Sequence, residues 1–147
     1  MTTKRCSIPI KMILALMLVL PACSQEELLL TSSLGTAAEQ GDAEAQSFLG
    51  VLYKEGWGVP QNYDEALHWF QAAAEQGNAE AQSFLGAMYF LGQGVPQDYI
   101  QAYTWTSLAA STANELGIEN IELITKVMTP EEIAAAQRLA SEWKPNG

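Results

Sequence analysis

The stretch AAEQGDAEAQSFLG at residues 37–50 returns as AAEQGNAEAQSFLG at residues 73–86, with thirteen of the fourteen positions identical. The match extends beyond this phrase, because 22 of the 36 positions in residues 37–72 agree with those in residues 73–108. A fixed period of this length is typical of solenoid arrays, in which each unit buries its apolar face against its neighbours. The sequence therefore predicts a stack of repeated units.

Each unit has the pattern of two helices. Asp42 and Asn78 can accept hydrogen bonds from the first-turn amides of one helix, and Asn62 and Asp98 can do the same for a second helix. Glycines at positions 50 and 86 lie inside the first helices, where we expect a neighbouring helix to approach the backbone closely. Apolar residues recur at helical spacing in both first helices: Ala45, Leu49, Leu52 and Tyr53 in one, and Ala81, Leu85, Met88 and Tyr89 in the other.

The sequence on either side of these two units departs from the period. Residues 114–128 can form one more first helix, and TPEE at residues 129–132 begins a terminal helix with a threonine cap and a proline in the first turn. We expect this terminal helix to cover the exposed end of the array. Before residue 37 we expect a degenerate N-terminal helix.

Residues 1–22 have the pattern of a secretory signal. Lys4, Arg5 and Lys11 give the segment a basic start, and residues 12–20 are an unbroken apolar run. Such a run is too short to cross a bilayer, which takes about 20 residues in a helix. The alternative interpretation is a buried N-terminal helix.

The signal ends in LPAC, residues 20–23, which resembles the lipobox of bacterial lipoproteins. The resemblance implies that Cys23 becomes the first residue of the mature protein and carries fatty acids such as palmitate. In lipoproteins of this kind an Asp after the cysteine directs retention in the inner membrane, so Ser24 implies the outer membrane, on its periplasmic side. The alternative is ordinary cleavage that leaves a free thiol.

The mature chain would be strongly acidic. Four basic and seventeen acidic residues follow Cys23, which gives a formal charge of −13. Such a surface repels nucleic acid and anionic headgroups. We therefore expect no nucleic-acid partner, contact with the membrane through the lipid anchor only, and a protein partner with a basic surface. With one cysteine left, the mature chain can form no internal disulfide or zinc cluster, and we expect a monomer without metal or cofactor.

Candidate catalytic residues are few. His68 is the only histidine, so a Ser–His–Asp arrangement would need it together with Ser47, Ser83 or Ser107. A packing or surface role explains a single histidine inside a repeat helix equally well. We therefore predict a protein that is not an enzyme.

The positions shared by the units form the motif A-x-A-Q-x-x-L-G-x-x-Y-x-x-G-x-G-V-x-x-(D/N)-Y-x-x-A-x-x-W-x-x-x-A-A-x-x-G. The motif resembles the Sel-1-like repeat, a relative of the tetratricopeptide repeat. This resemblance implies an all-α fold, an α/α right-handed superhelix whose first helices line a concave, protein-binding face. We accordingly divide the chain into a signal peptide at 1–22, Cys23 with the degenerate helix at 23–36, repeats at 37–72 and 73–108, and a divergent third repeat with its capping helix at 109–147.

Binding residues are expected where the motif leaves the first helices free to vary. These positions are Ser47, Phe48, Val51 and Lys54, with Ser83, Phe84, Ala87 and Phe90 as their counterparts. Phe48 and Phe84 either form an aromatic pair on the concave wall, which would offer a partner rigid apolar anchors, or pack between repeats. Trp57 is a further expected contact, because it lies in a loop and its counterpart is Gln93.

Three functions are compatible with these features. The leading hypothesis is a non-catalytic adaptor, anchored by lipid in the periplasm, that binds a protein on its concave face. Lipoproteins that resemble this one include immunity proteins against secreted antibacterial effectors, which is a narrower form of the same hypothesis. The alternatives are a hydrolase of cell-wall or β-lactam chemistry and a structural factor in envelope assembly.

Overall fold

The computed structural model describes residues 31–146, and the chain divides into two compact units, Met1–Ser33 and Leu34–Gly147. Only residues 31–33 of the first unit are described, and they are helical. The expectations for the signal peptide and for Cys23 therefore lie outside the described residues. Within residues 31–146, the helices are all too short or too polar to cross a membrane.

All regular structure in the described residues is helical, which confirms the all-α prediction. Residues 31–39 are helical, and the helices that follow are α1 (Ala43–Glu55), α2 (Tyr63–Glu75), α3 (Ala79–Leu91), α4 (Tyr99–Ser111), α5 (Glu115–Thr125) and α6 (Pro130–Glu142). The pairs α1–α2 and α3–α4 pack as hairpins, while α2 also packs on α3 and α4 on α5. Each second helix is shared between two units, as in a solenoid.

The cap residues predicted from the sequence begin the helices. Asp42 and Asn78 each accept a hydrogen bond at 2.9 Å from the backbone amide three residues later. Asn62 and Asp98 accept from first-turn amides of α2 and α4 at 3.0 to 3.2 Å. At the other end of α1, Gly56 has a φ of 71°, a left-handed conformation that glycine adopts without a steric penalty.

Two buried glutamines join consecutive units. The Nε2 groups of Gln46 and Gln82 donate to the carbonyl oxygens of Ala38 and Ala74, at 2.9 and 3.1 Å. Those carbonyls lie in the last turn of the preceding helical segment, where the backbone lacks a helical partner. The glutamine of the repeat motif therefore ties the start of each first helix to the end of the helix before it.

The core runs along the array as three clusters of buried side chains. The central cluster, between α2 and α3, contains Phe70, Leu85 and Met88, which are fully buried. Alanines surround these large side chains and let the helices approach one another. Leu49 belongs to the cluster towards the N-terminus and Ile124 to the one towards the C-terminus. Every unit thus depends on its neighbour for burial.

Gly50 and Gly86 lie at close approaches between paired helices, as predicted. A Cβ on Gly86 would lie 2.2 Å from the Thr106 Oγ1 and 3.0 Å from the Ala102 carbonyl oxygen in α4. A Cβ on Gly50 would lie 2.6 Å from the ring of Phe70 in α2. The contact at Gly86 is partly with backbone, as expected, whereas the contact at Gly50 is with an aromatic side chain.

The terminal helix α6 packs on α4 and does not form a hairpin with α5. Thr129 begins α6 with a reciprocal capping box. At the other end, the ring of Trp143 lies edge-on to that of Trp105 in α4, with centroids 6.2 Å apart. The Asn146 amide then donates to the Glu75 carbonyl oxygen at the end of α2, at 2.7 Å. The C-terminal segment therefore contacts the second helices, and one side of α5 stays uncovered.

Candidate functional site

The helices α1, α3 and α5 form one continuous surface, because α3 contacts both of the others. The 36-residue period places positions 44, 80 and 116 at equivalent sites on these helices, and likewise positions 48, 84 and 120, and positions 51, 87 and 123. We call the surface made by these positions the first-helix face. It contains two depressions, one between α1 and α3 and the other between α3 and α5.

The depression between α1 and α3, which we call the acidic pocket, has a volume of about 250 Å³. Glu44 and Glu80 line it, and both side chains are exposed. The ring of Phe48 also lines it and is 50 % exposed. Within residues 31–146 the only salt bridge joins Lys54 to Glu55, so neither carboxylate of the pocket is neutralised by an ion pair. The acidic pocket therefore combines negative charge with an accessible aromatic ring.

The depression between α3 and α5, which we call the apolar groove, has a volume of about 170 Å³. Ala87, Phe90 and Leu91 line it from α3, and Leu123 and Ile124 from α5, with Asn120 as the polar lining residue. Leu91 and Leu123 are 58 % and 53 % exposed. An apolar patch of this kind on a surface commonly marks an interaction site.

Ser47 and Ser83 occupy equivalent positions but differ in their hydrogen bonding. The hydroxyl of Ser83 donates to the Asn114 Oδ1 at 2.8 Å. Ser47, which lines the acidic pocket, is equally buried, yet its hydroxyl has no hydrogen-bond partner within the described residues. A buried hydroxyl without a partner is costly, and this one lies beside the pocket where a ligand could supply a partner.

The predicted binding residues fall into two groups. Five of them line the depressions: Ser47, Phe48 and Val51 in the acidic pocket, and Ala87 and Phe90 in the apolar groove. The other four are placed elsewhere: Lys54, Trp57, Ser83 and Phe84. Trp57 is exposed in the α1–α2 loop, outside both depressions.

Phe48 and Phe84 do not form an equivalent aromatic pair. The ring of Phe84 stacks on the buried ring of Phe70 in α2, with centroids 5.0 Å apart. The ammonium group of Lys54 lies 5.7 Å from the centroid of the Phe84 ring. Phe84 is thus packed between repeats, while Phe48 at the equivalent position is half exposed. The two interpretations offered by the sequence each describe one of the two rings.

Several lining residues were not predicted from the sequence. They are Glu44, Asn78 and Glu80 in the acidic pocket, and Leu91, Asn120, Leu123 and Ile124 in the apolar groove. The repeat period itself carries a signal for some of them. Extending it by one more unit takes Val51 and Ala87 to Leu123, and takes Phe48 and Phe84 to Asn120.

The candidate catalytic residues are not assembled into a site. His68 is exposed on α2, and its ring lies edge-on to that of Trp69 at a centroid distance of 5.1 Å. The hydroxyls of Ser83 and Ser107 donate to Asn114 and to the Thr104 carbonyl oxygen instead. Among residues 31–146, no three histidine, cysteine or acidic side chains are grouped so that they could hold a metal ion.

Comparison with known proteins identifies the repeat. Residues 43–78 and 79–111 match the family described as Sel1 repeat. A protective antigen of uropathogenic Escherichia coli strains, which displays an SLR fold, is 33 % identical over 77 % of this chain, with a TM-score of 0.74. A Sel1 repeat protein from Oxalobacter formigenes is 43 % identical over 62 % of this chain, with a TM-score of 0.60. The chain spans only 24 % and 26 % of those two structures. No curated protein matches it significantly.

Proposed function

The chain carries two Sel1 repeats, and we propose that it is a non-catalytic binding module whose first-helix face holds a segment of a partner protein. Proteins with Sel1 repeats generally mediate protein–protein interactions, and the family is typically a non-catalytic scaffold. The single observation that supports this assignment here is the pair of depressions on one continuous helix face.

The first-helix face differs between units where the core does not. The motif positions that build the core and the caps recur in both repeats, whereas Val51, Ala87 and Leu123 differ at one equivalent site of the face. Variation of this kind is compatible with a stack whose scaffold is fixed and whose surface is adapted to one partner. The acidic balance of the chain favours a partner with a basic surface.

We further propose that the protein is a lipoprotein of the outer membrane, held on the periplasmic side through Cys23. The sequence LPAC at residues 20–23 and the following Ser24 support this proposal. Incorporation of labelled palmitate in cells should be lost in Cys23→Ala. Ser24→Asp should move the protein into the inner-membrane fraction. Labelling that survives Cys23→Ala would reject the anchor.

A narrower form of the proposal is an immunity protein that neutralises a secreted antibacterial effector in the periplasm. The supporting features are a small binding module, an acidic surface and the proposed anchor. If this is correct, cells that lack the protein should be killed by the effector of sibling cells, and expression of the protein should restore survival. A general envelope defect that does not depend on any effector would favour the structural assembly role instead.

The binding role is tested by affinity capture from envelope extract with the full-length chain in detergent. Phe48→Ala with Leu123→Ala removes one exposed apolar side chain from each depression. Leu139→Ala is the matched control, because Leu139 is 42 % exposed on α6 and lies outside both depressions. We expect a specific partner to be captured by the unmodified chain and by the control, but not by the double variant. Equal capture by all three would reject the first-helix face as the binding surface.

A further inference from the structure

The first-helix face changes its chemistry from one end of the array to the other. At one equivalent site Glu44 and Glu80 are followed by Leu116. At a second equivalent site Glu55 is followed by Leu91 and Val127. Leu116, Leu91 and Val127 are all exposed, at 43 %, 58 % and 50 %. The acidic pocket and the apolar groove are therefore the two ends of one graded surface.

From this gradient we propose that the face binds one extended partner segment in a fixed direction, with a lysine or arginine in the acidic pocket and a large apolar side chain in the apolar groove. This inference rests on the proposed function and specifies the chemistry of the partner. It also assigns a polarity to the segment, because the two depressions accept different side chains.

The groups that line the acidic pocket suit a basic side chain. The carboxylates of Glu44 and Glu80 can accept charge-assisted hydrogen bonds from a guanidinium or ammonium group. The half-exposed ring of Phe48 adds a surface for a cation–π contact. The Ser47 hydroxyl, which has no partner within residues 31–146, can accept one more hydrogen bond after a small side-chain rotation. The nearest cation on α1, that of Lys54, is held by Glu55 and lies over Phe84.

The apolar groove disfavours the same basic side chain. Its lining is apolar apart from Asn120, so an ammonium or guanidinium group would lose hydration without gaining a charged partner. Lys126, which follows α5, is exposed and adds positive charge at this end of the face. A leucine, methionine or phenylalanine would instead bury the exposed parts of Leu91 and Leu123.

The distance between the depressions sets the spacing of the two side chains. Packed helices lie about 8–10 Å apart, and the apolar groove lies nearly two helical turns further along the helix axis than the acidic pocket, or about 10 Å. The diagonal separation is therefore about 14 Å. An extended chain rises about 3.3 Å per residue and alternates its side chains between two sides. The basic and apolar residues should accordingly lie about four positions apart.

Fluorescence anisotropy with synthetic peptides tests this inference on the full-length chain in detergent. The probe is a labelled twelve-residue peptide of glycine and serine that contains one arginine and, four positions later, one leucine. The comparison peptides have the arginine replaced by serine, the leucine replaced by serine, or the order of the two residues reversed. We expect the probe in one of the two orders to bind about tenfold tighter than the other three peptides, which corresponds to about 1.4 kcal/mol.

Two variants locate the contacts. Glu44→Gln with Glu80→Gln should weaken the arginine–leucine peptide several-fold and leave the peptide without arginine unchanged, because exposed ion pairs each contribute about 0.2–1 kcal/mol. Leu91→Ser with Leu123→Ser should do the same for the leucine. Glu142→Gln with Leu139→Ser, at exposed sites on α6, is the matched control and should change nothing.

Equal affinity of all peptides, or equal loss for every peptide in both variants, would overturn the graded face. A partner captured from extract by a chain that shows no peptide preference would overturn this inference while the proposed binding function stands. If no partner is captured and no peptide binds, both fail.

Discussion

Replacement of Gly86 by alanine tests how closely α3 packs against α4. The new Cβ would lie 2.2 Å from the Thr106 Oγ1, 3.0 Å from the Ala102 carbonyl oxygen and 3.2 Å from the Thr106 backbone nitrogen. Two of these three atoms belong to the backbone of α4 and can move only if the helix moves. Thr106 is fully buried, so its hydroxyl cannot turn into solvent. The two helices must therefore separate to admit a methyl group.

The expected loss follows from two opposing effects. Alanine is favoured over glycine inside a helix by about 1 kcal/mol, whereas overpacking of a well-packed core costs about 1–3 kcal/mol. The contact with two backbone atoms places the cost in the upper part of that range. We expect the free energy of unfolding to fall by about 1–2 kcal/mol, which lowers Tm by about 5–10 °C in a domain of this size.

Urea denaturation followed by circular dichroism measures this loss. Gly35→Ala is the control, because Gly35 is helical and no neighbouring atom lies within 4 Å of the place where its Cβ would be. That variant should gain about 0.5–1 kcal/mol. Thr106→Ala combined with Gly86→Ala should recover part of the loss, since it removes the shortest contact. A Gly86→Ala variant as stable as the unmodified chain would refute the close approach.

Three further predictions concern the helix junctions. Gln82→Leu removes the donor to the Ala74 carbonyl oxygen and should lower the free energy of unfolding by about 1–2 kcal/mol in urea; an unchanged midpoint would argue against the junction role. Thr129→Ala removes the cap of α6 and should cost about 0.5–2 kcal/mol in a thermal melt, without affecting peptide binding. Burial, with the Asp98 carboxylate, raises the pKa of Tyr89 above 10.0, so the unfolded chain loses the phenolic proton first. Stability should therefore fall as the pH rises above about 10, and Tyr89→Phe should show a smaller fall in urea titrations at about pH 9 to 11; identical falls would contradict the assignment.

The repeat made the local structure predictable. Asp42 and Asn78 cap first helices because a short polar side chain precedes each apolar stripe, and the glycine at position 86 lies where two helices meet. Such features depend on residues that are close in sequence or related by the period. The fold class and the helix starts could therefore be read before any contact was known.

Features that depend on the neighbouring unit could not be read in this way. Phe48 and Phe84 are identical residues at equivalent positions, yet only Phe84 has a phenylalanine, Phe70, in the helix before it. The residue equivalent to Phe70 one unit earlier is Leu34, which leaves the Phe48 ring half exposed. The environment of each ring is set by the unit in front of it, and the repeat motif does not specify that residue.

The docking of α6 was likewise open. Its apolar side chains and its capping box predicted a helix with a buried face, but an amphipathic pattern does not identify the surface it covers. In the structure, the α6 residue Ala136 is fully buried in the cluster that also holds Tyr103 of α4. The side of α5 that carries Leu123 consequently remains exposed and lines the apolar groove, so this depression depends on a contact that the sequence did not specify.

The most direct test of a protein-binding first-helix face is photo-crosslinking in living cells. A photo-reactive amino acid is placed at position 48 in the acidic pocket, or at position 139 on α6, and adducts are detected by their mass on a gel. Both native side chains are large, apolar and exposed, so the two sites are comparable. We predict a discrete adduct with another protein from position 48 and none from position 139. An adduct from position 139 with none from position 48 would contradict the account.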